Sequence, residues 1–435
     1  MDKKFTSRRD FVKATSLVAG GLFVAPGIAS ANFFAGSNDV IKVAVVGCGG
    51  RGTGAAMQAL NTAQNVQLVA VCDAFRDRID QCINNLMEDE DAKGKVKVPE
   101  ENKFVGFEGY LKAIPLADVV ILATPPGFRP AHFEEAVKRG KHVFMEKPVA
   151  VDPAGVKKVL DNAAIAKQKK LNVVVGLQRR YQTSYRELFK RKEQIGDILS
   201  SQVWWNGGGV WVNKRKYNQT EMEYQMRNWY YFNWLCGDHI VEQHVHNIDV
   251  ANWFKGDYPV RAQGMGGREV RTGKEYGEIF DHHYVEFEYA DGSIMNSQCR
   301  HIPGTWSRVD ELIVGTNGSI KANAAQIVDR KGKVLYQFDK KTENNPYQNE
   351  LDELMAAIAK GEYKFEDATH GAKSTMSGIM GRMATYSGQM LDVDKLMANP
   401  LDIMPKKYGF DELPPVLPNE EGFYPIAVPG ITKYV

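Results

Sequence analysis

The stretch that decides the fold runs from Val40 to Asn61, "VIKVAVVGCGGRGTGAAMQALN". Its first part is a continuous β-branched run of strand length, which suits a strand buried on both faces of a parallel sheet. Gly47, Gly49 and Gly52 then occupy the three glycine positions of a GxGxxG turn, with Cys48, Gly50 and Arg51 between them. A helix-compatible segment follows. In such a turn the first glycine makes the tight bend and the second lets a pyrophosphate approach the backbone. The third lets helix and strand pack closely. The helix N-terminus then offers its free N–H groups and its dipole to the phosphates. A lone GxGxxG is weak, so its context decides. "VQLVAVCD" ends in Asp73, twenty-one residues after Gly52, where an acidic side chain would take a ribose 2′-hydroxyl. That favours NAD. Arg76 and Arg78 leave NADP open, because a nearby arginine can accommodate a 2′-phosphate.

Working outward, "ADVVILATPP" ends at Thr124 and Pro125, and "KHVFMEKP" ends at Glu146, Lys147 and Pro148. "LNVVVGLQRR" ends near Arg179. Helical stretches, "PAHFEEAVKRG" and "PAGVKKVLDNAAIAKQKK", alternate with these strands. The alternation predicts an α/β, doubly wound parallel sheet of Rossmann type over residues 39–178. Ligands of such sheets bind at the carboxyl ends of the strands. The candidate dinucleotide contacts are therefore Gly47, Gly49, Gly50, Arg51 and Gly52 of the turn, with Asp73. Thr124, Pro125, His132, Glu146, Lys147 and Arg179 complete the set. Lys147 has two readings. It orients a substrate hydroxyl beside a nicotinamide, or it is an exposed lysine like most others.

From Ser201 the pattern changes. "SSQVWWNGGGVWVNK", "PVRAQGMGG", "FDHHYVEFEYADGSIMNSQCR" and "DELIVGTNGSIKAN" read as strands, the third as a hairpin turning at Asp291-Gly292. "NPYQNELDELMAAIAKG" and "GAKSTMSGIMGRMATYSGQ" read as helices. Together they predict an α+β domain over 179–395 with a largely antiparallel sheet. A Pro-rich extended segment follows over 396–435.

Between the strands lies "GDHIVEQHVHNIDVANW", Gly237 to Trp253. Taken as one helix, it puts His239, Glu242, His246, Asp249 and Trp253 on a single face. Glu242 beside His246 could hold the imidazole's tautomer and raise its pKa, as a general base acting on a hydroxyl requires. His244 points elsewhere. Two other readings stand: a metal site, although no HExxH spacing is present, and a structural polar face. Residues 204–234 also hold five of the seven Trp, with Tyr217, Tyr224, Tyr230, Tyr231 and Phe232. Such faces suit the C–H side of a sugar, or equally a core or an interface.

Bulk composition fits this picture. A chain of 435 residues, 43% hydrophobic and 25% charged, suggests two globular domains. Net charge is +2; without residues 1–31, which carry five basic and two acidic side chains, it is −1. That offers no basic footprint for nucleic acid. The five Cys are scattered, with no CxxC, and read as buried thiols. The N-terminus reads as an export signal: Lys3, Lys4, Arg8, Arg9 and Lys13, then an apolar run too short to span a membrane, then Ala29-Ser30-Ala31. Arg8-Arg9 followed by Asp-Phe-Val resembles a twin-arginine signal over residues 1–31, which implies periplasmic export of a folded protein.

With Glu146-Lys147-Pro148 on a Rossmann scaffold and a downstream Glu242-xxx-His246-xx-Asp249, the chain resembles the Gfo/Idh/MocA oxidoreductases. The resemblance implies a C-terminal open sheet that often forms a homodimer or homotetramer interface. It implies catalysis by Lys147, His246 and Glu242, the last standing where the family commonly has Asp. Arg180, His239, His244 and Asp249 would join Lys147 and His246 around the substrate, with no metal. The implied reaction is NAD(P)-dependent oxidation of a ring hydroxyl of a sugar, glycoside or cyclitol, with tightly bound cofactor. The alternative is an NAD-dependent glycosidase or lyase acting through a transient keto-sugar. A third possibility is a noncatalytic binding protein on the same fold.

Overall fold

The structure, a computed structural model, describes residues 39–434. The expected export signal lies outside the described residues. Six strands form the first sheet: β1 (Ile41–Val46), β2 (Val66–Asp73), β3 (Lys103–Val105), β4 (Val119–Leu122), β5 (His142–Met145) and β6 (Val173–Val175). Their order is β3-β2-β1-β4-β5-β6, all parallel. β1 shows why the run is apolar throughout. Ala44 and Val46 enter one core, while Ile41, Val43 and Val45 enter the other. Strand order reverses between β1 and β4, which opens a crevice at their carboxyl ends. The sequence expectation for this sheet holds, apart from the short edge strand β3, whose three residues show little apolar pattern.

The glycine turn forms as its spacing requires. Gly47 has φ +100°, and a Cβ there would sit 2.4 Å from the Thr124 backbone nitrogen. A Cβ on Gly52 would sit 1.8 Å from the Gly47 carbonyl oxygen, so helix Gly50–Leu60 can start only with glycine there.

The second sheet has nine strands: β7 (Ile198–Gly207), β8 (Arg261–Gly267), β9 (His282–Glu288), β10 (Ile294–His301), β11 (Arg308–Gly315), β12 (Gly318–Lys321), β13 (Gln326–Asp329), β14 (Val334–Gln337) and β15 (Leu391–Asp392). The order is β14-β13-β12-β11-β7-β10-β9-β8-β15. Only the β7–β10 pair is parallel. One face turns Val203 and Val285 inward, and Gly264 lets helix Asp367–Ser387 approach so closely that a Cβ would lie 3.0 Å from Thr385 Cγ2. On the other face Gln202, Asn296, Glu286 and Gln263 stand in register across four strands. The strand expected over "SSQVWWNGGGVWVNK" ends at Gly207, where the three-glycine run begins.

Two further features differ from expectation. The stripe from Gly237 to Trp253 is two helices, His239–Glu242 and Val245–Lys255, with a break at Gln243 and His244. Asp238 begins it at φ +70°, and the His239 carbonyl accepts both the Gln243 and the His244 N–H, at 3.0 and 3.1 Å. That widened turn changes the facing of everything after it. Helix Pro346–Ala359 packs on helix Gly50–Leu60, placing Leu351, Leu354 and Met355 in the nucleotide-side core. From Asn399 to Tyr434 the chain forms no helix or strand. No helix among the described residues is long and apolar enough to cross a membrane. All five cysteines are free and buried.

Candidate active site

A cavity of about 630 Å³ lies along the carboxyl ends of β1, β2 and β4. Gly47, Gly49, Gly50 and Arg51 line it, with Asp73, Thr124 and Pro125, and Glu146, Lys147 and Glu242 at its far end. Gly49 and Gly50 have nothing within 4 Å of a would-be Cβ, so their backbone is open to a ligand. Both Asp73 oxygens are fixed: Oδ2 accepts the Cys48 N–H at 2.8 Å and Oδ1 the Phe75 N–H at 3.0 Å. Burial raises the Asp73 pKa, and those two N–H groups oppose the rise. This is the donor set a dinucleotide needs: an open glycine loop, a helix N-terminus and a ribose acceptor.

At the other end Lys147 Nζ lies 3.1 Å from Glu242 Oε1 and donates to the Glu242 carbonyl at 2.8 Å. Both side chains are largely buried, 13% and 12% exposed. Glu146 is held by Arg51 at 2.8 Å, and Arg51 in turn lies over the Tyr347 ring. Arg129, which the sequence reading missed, is buried and donates to the Pro148 and Thr124 carbonyls, bracing the strand ends around Lys147. A lone arginine after "TPPGF" carries no recognisable signal of this role.

His246 is buried, its ring stacked on Trp205 with centroids 6.0 Å apart, and its Nδ1 has no hydrogen-bond partner. Here the structure corrects the expected electrostatics. Glu242 turns to Lys147, and no bond joins it to His246. Burial, and then the charges of Lys147, Arg179 and Arg51, hold the His246 pKa well below its usual value. The imidazole is neutral near pH 7.

The remaining candidates separate. Arg180 binds Asp249 through two bonds of 2.8 Å, and Asp249 also accepts the Ser374 hydroxyl at 2.7 Å. These two residues are brought together as an ion pair under Trp253. Arg179 is held by Glu311, and His132 by Thr124 Oγ1 at 3.2 Å; burial drops the His132 pKa to about 3. His244 faces Ser297 of the second sheet at 2.8 Å. His239 leaves the expected stripe for a buried cluster, with Nδ1 2.7 Å from Asp238 and its ring stacked on His301.

Asp238, His239 and His283 could in principle hold a metal. However, the Asp238 carboxylate already accepts from His239, His283, the Phe280 N–H and the Tyr386 hydroxyl. Arg271 also places a fixed cation 2.6 Å from His301 Nδ1. Asp238 and His283 are thus engaged in hydrogen bonds, whereas His239 Nε2 has no partner.

The aromatic segment divides. Trp211 and Trp229 line the cavity, whereas Tyr224, Tyr230, Tyr231, Phe232 and Trp234 form a core. Trp204 lies under Arg308, and Tyr217 is exposed.

Comparison with known proteins agrees with this geometry. Residues 41–177 match the GFO_IDH_MocA model, described as "Oxidoreductase family, NAD-binding Rossmann fold". The chain is 25% identical to a 2,7-anhydro-N-acetylneuraminate hydratase of Escherichia coli over 57% of its length and 64% of the relative's. It is 32% identical to a glycosyl hydrolase family 109 protein of Solibacter usitatus over 34% of each. The matched stretches thus span less than two thirds of these relatives. Its fold is similar to that of scyllo-inositol dehydrogenase from Lactobacillus casei, solved with NAD(H) and scyllo-inositol (TM-score 0.61, 18% identity, 82% of this chain and all of the other). Residues 41–177 are thus an NAD-binding Rossmann domain of the Gfo/Idh/MocA oxidoreductase type.

Proposed function

We propose that the protein oxidises a ring hydroxyl of a sugar, glycoside or cyclitol. The observation that carries this reading is the Lys147–Glu242 pair lining the dinucleotide crevice, with the Lys147 charge acting on a neutral, buried His246. Bound NAD supplies the hydride acceptor. Glu242 holds the Lys147 ammonium in place through its carboxylate and its carbonyl. Lys147 then donates to the substrate hydroxyl oxygen and stabilises the charge that develops there as its proton leaves. His246 accepts that proton; its low pKa keeps it unprotonated and ready. Trp211 and Trp229 offer faces to the C–H side of a ring. The chemistry of a retained, internally recycled hydride also fits a glycosidase or lyase that oxidises its substrate transiently. The hydratase and hydrolase names of two relatives favour keeping this second reading.

One experiment separates them. NAD-loaded protein is mixed with a panel of cyclitols, sugars and aryl glycosides, and nicotinamide absorbance is followed together with aglycone release. A keto product with matching nicotinamide reduction supports the dehydrogenase. Many aglycone turnovers without net reduction support the glycosidase. Neither signal refutes both.

Two further proposals rest on sequence. The Arg8-Arg9 signal supports periplasmic export of a folded, cofactor-loaded protein, which replacing both with Lys tests. The exposed face of the second sheet supports a homodimer or homotetramer, which light scattering tests.

A further inference from the structure

Arg227 ends the helix Glu221–Arg227, in the segment between β7 and the His239 turn. Its guanidinium reaches across to the nucleotide-binding half. Nη1 and Nη2 donate to the two Asp77 carboxylate oxygens at 2.7 and 2.9 Å. Its Cζ stands 3.6 Å from the centre of the Phe75 ring. Phe75 and Asp77 lie two and four residues after Asp73, the proposed ribose acceptor. Phe75 is backed in turn by Phe410 of the C-terminal segment, with ring centroids 5.2 Å apart.

The same arginine organises one wall of the crevice. Asn213 Nδ2 donates to the Arg227 carbonyl at 2.7 Å, and the Asn213 N–H donates to Asn228 at 2.9 Å. Trp211, Asn213, Arg227 and Trp229 line the cavity that also contains Gly49 and Asp73. A dinucleotide along the glycine loop therefore has the loop on one side and this tethered wall on the other.

We propose that the contact of Arg227 with Asp77 and Phe75 is a latch that holds the wall across the dinucleotide, so that cofactor leaves only when the latch opens. The inference rests on the reading of the crevice as an NAD site. The latch is reversible by construction. Arg227 is 26% and Asp77 61% exposed, and an ion pair so placed is weak alone, with the cation–π contact adding a modest increment. It slows release about tenfold rather than sealing the site.

The test is a dissociation rate. Protein loaded with NADH is diluted into excess NAD, and the loss of bound-nicotinamide fluorescence is followed. The variants are Arg227→Ala, Asp77→Asn, and the exchanged pair Arg227→Asp with Asp77→Arg. The expected result is release about tenfold faster in Arg227→Ala, which loses both contacts, about two- to fivefold faster in Asp77→Asn, which keeps the cation–π contact, and recovery at least part of the way in the exchanged pair. Both positions are partly exposed, and thermal melting confirms that each variant is folded. Single variants that release at the parent rate overturn the latch alone, as does an exchanged pair no slower than they are. A parent protein that binds no NADH overturns both the latch and the function on which it rests.

Discussion

Lys147 and Glu242 come from different sheets' neighbourhoods, 95 residues apart, and meet through two hydrogen bonds of 2.8 and 3.1 Å. Glu242 serves Lys147 with both its carboxylate and its backbone. The length of the glutamate side chain lets its carboxylate reach the lysine and leaves the imidazole alone. Lys147→Met is therefore expected to lower single-turnover oxidation by about 10²–10⁴. NAD affinity should change far less, because the glycine loop and Asp73 lie at the other end of the crevice. Rapid-mixing absorbance and an NAD titration on the same variant check both halves.

If His246 is the proton acceptor proposed, it sets the acid side of the pH profile. Its folded pKa is depressed, so the imidazole stays unprotonated at and below its usual value of 6.5. kcat/KM is expected to hold level as pH falls through 6.5 and to decline only well below it. His246→Asn should lower the rate by about 10²–10⁴ across the whole range. An acid limb at or above 6.5 in the parent enzyme would show that the imidazole is not the neutral group described.

If Asp73 is the ribose acceptor of the proposed NAD site, it sets cofactor choice. Its carboxylate is held by the Cys48 and Phe75 N–H groups, facing the crevice. Asp73→Ala removes the ribose acceptor and a negative charge, leaving Arg78 on the same wall. NAD binding should weaken by about 10–100-fold, as expected for hydrogen bonds to a charged group. NADP should gain relative to NAD. Isothermal titration with both nucleotides measures the ratio.

The buried histidines make the fold acid-sensitive. Burial lowers His132 to about 3, His239 to about 4 and His244 to about 3. These folded values lie below the unfolded 6.5, so the unfolded chain binds the extra protons. Stability is full above pH 6.5 and is lost as pH falls from there towards the folded values. Each site contributes up to about 1.4 kcal/mol per pH unit in that window. Urea midpoints at pH 7 and 5.5 should differ by the equivalent of a few kcal/mol. Replacing His244 with Gln, which keeps a partner for Ser297, should reduce that difference.

The first sheet was legible because its strands are buried on both faces and read as unbroken apolar runs. The glycine turn, Asp73 and Lys147 followed from spacing at the strand ends. The Gly237–Trp253 stripe was harder. Periodicity shows which residues would share a helix face, but not that Asp238 is drawn into a buried cluster with His283 and Tyr386. The turn widens at Gln243 and His244, and His239 joins Asp238 in that cluster. The Arg180–Asp249 pair and the Arg227–Asp77 contact also lie beyond sequence reasoning. Each joins residues 69 or 150 positions apart that carry no local pattern.

Hydride transfer from a ring carbon is the step on which the proposed function turns. The panel member that responds fastest would be prepared with deuterium at its oxidised carbon and mixed once with NAD-loaded protein. Mass spectrometry of the released nucleotide then follows the label. Deuterium on the nicotinamide, absent in Lys147→Met, is the expected result. Label lost to solvent, or a panel in which no compound reduces the nicotinamide even transiently, would contradict the assignment of Lys147, Glu242 and His246 as its catalytic centre.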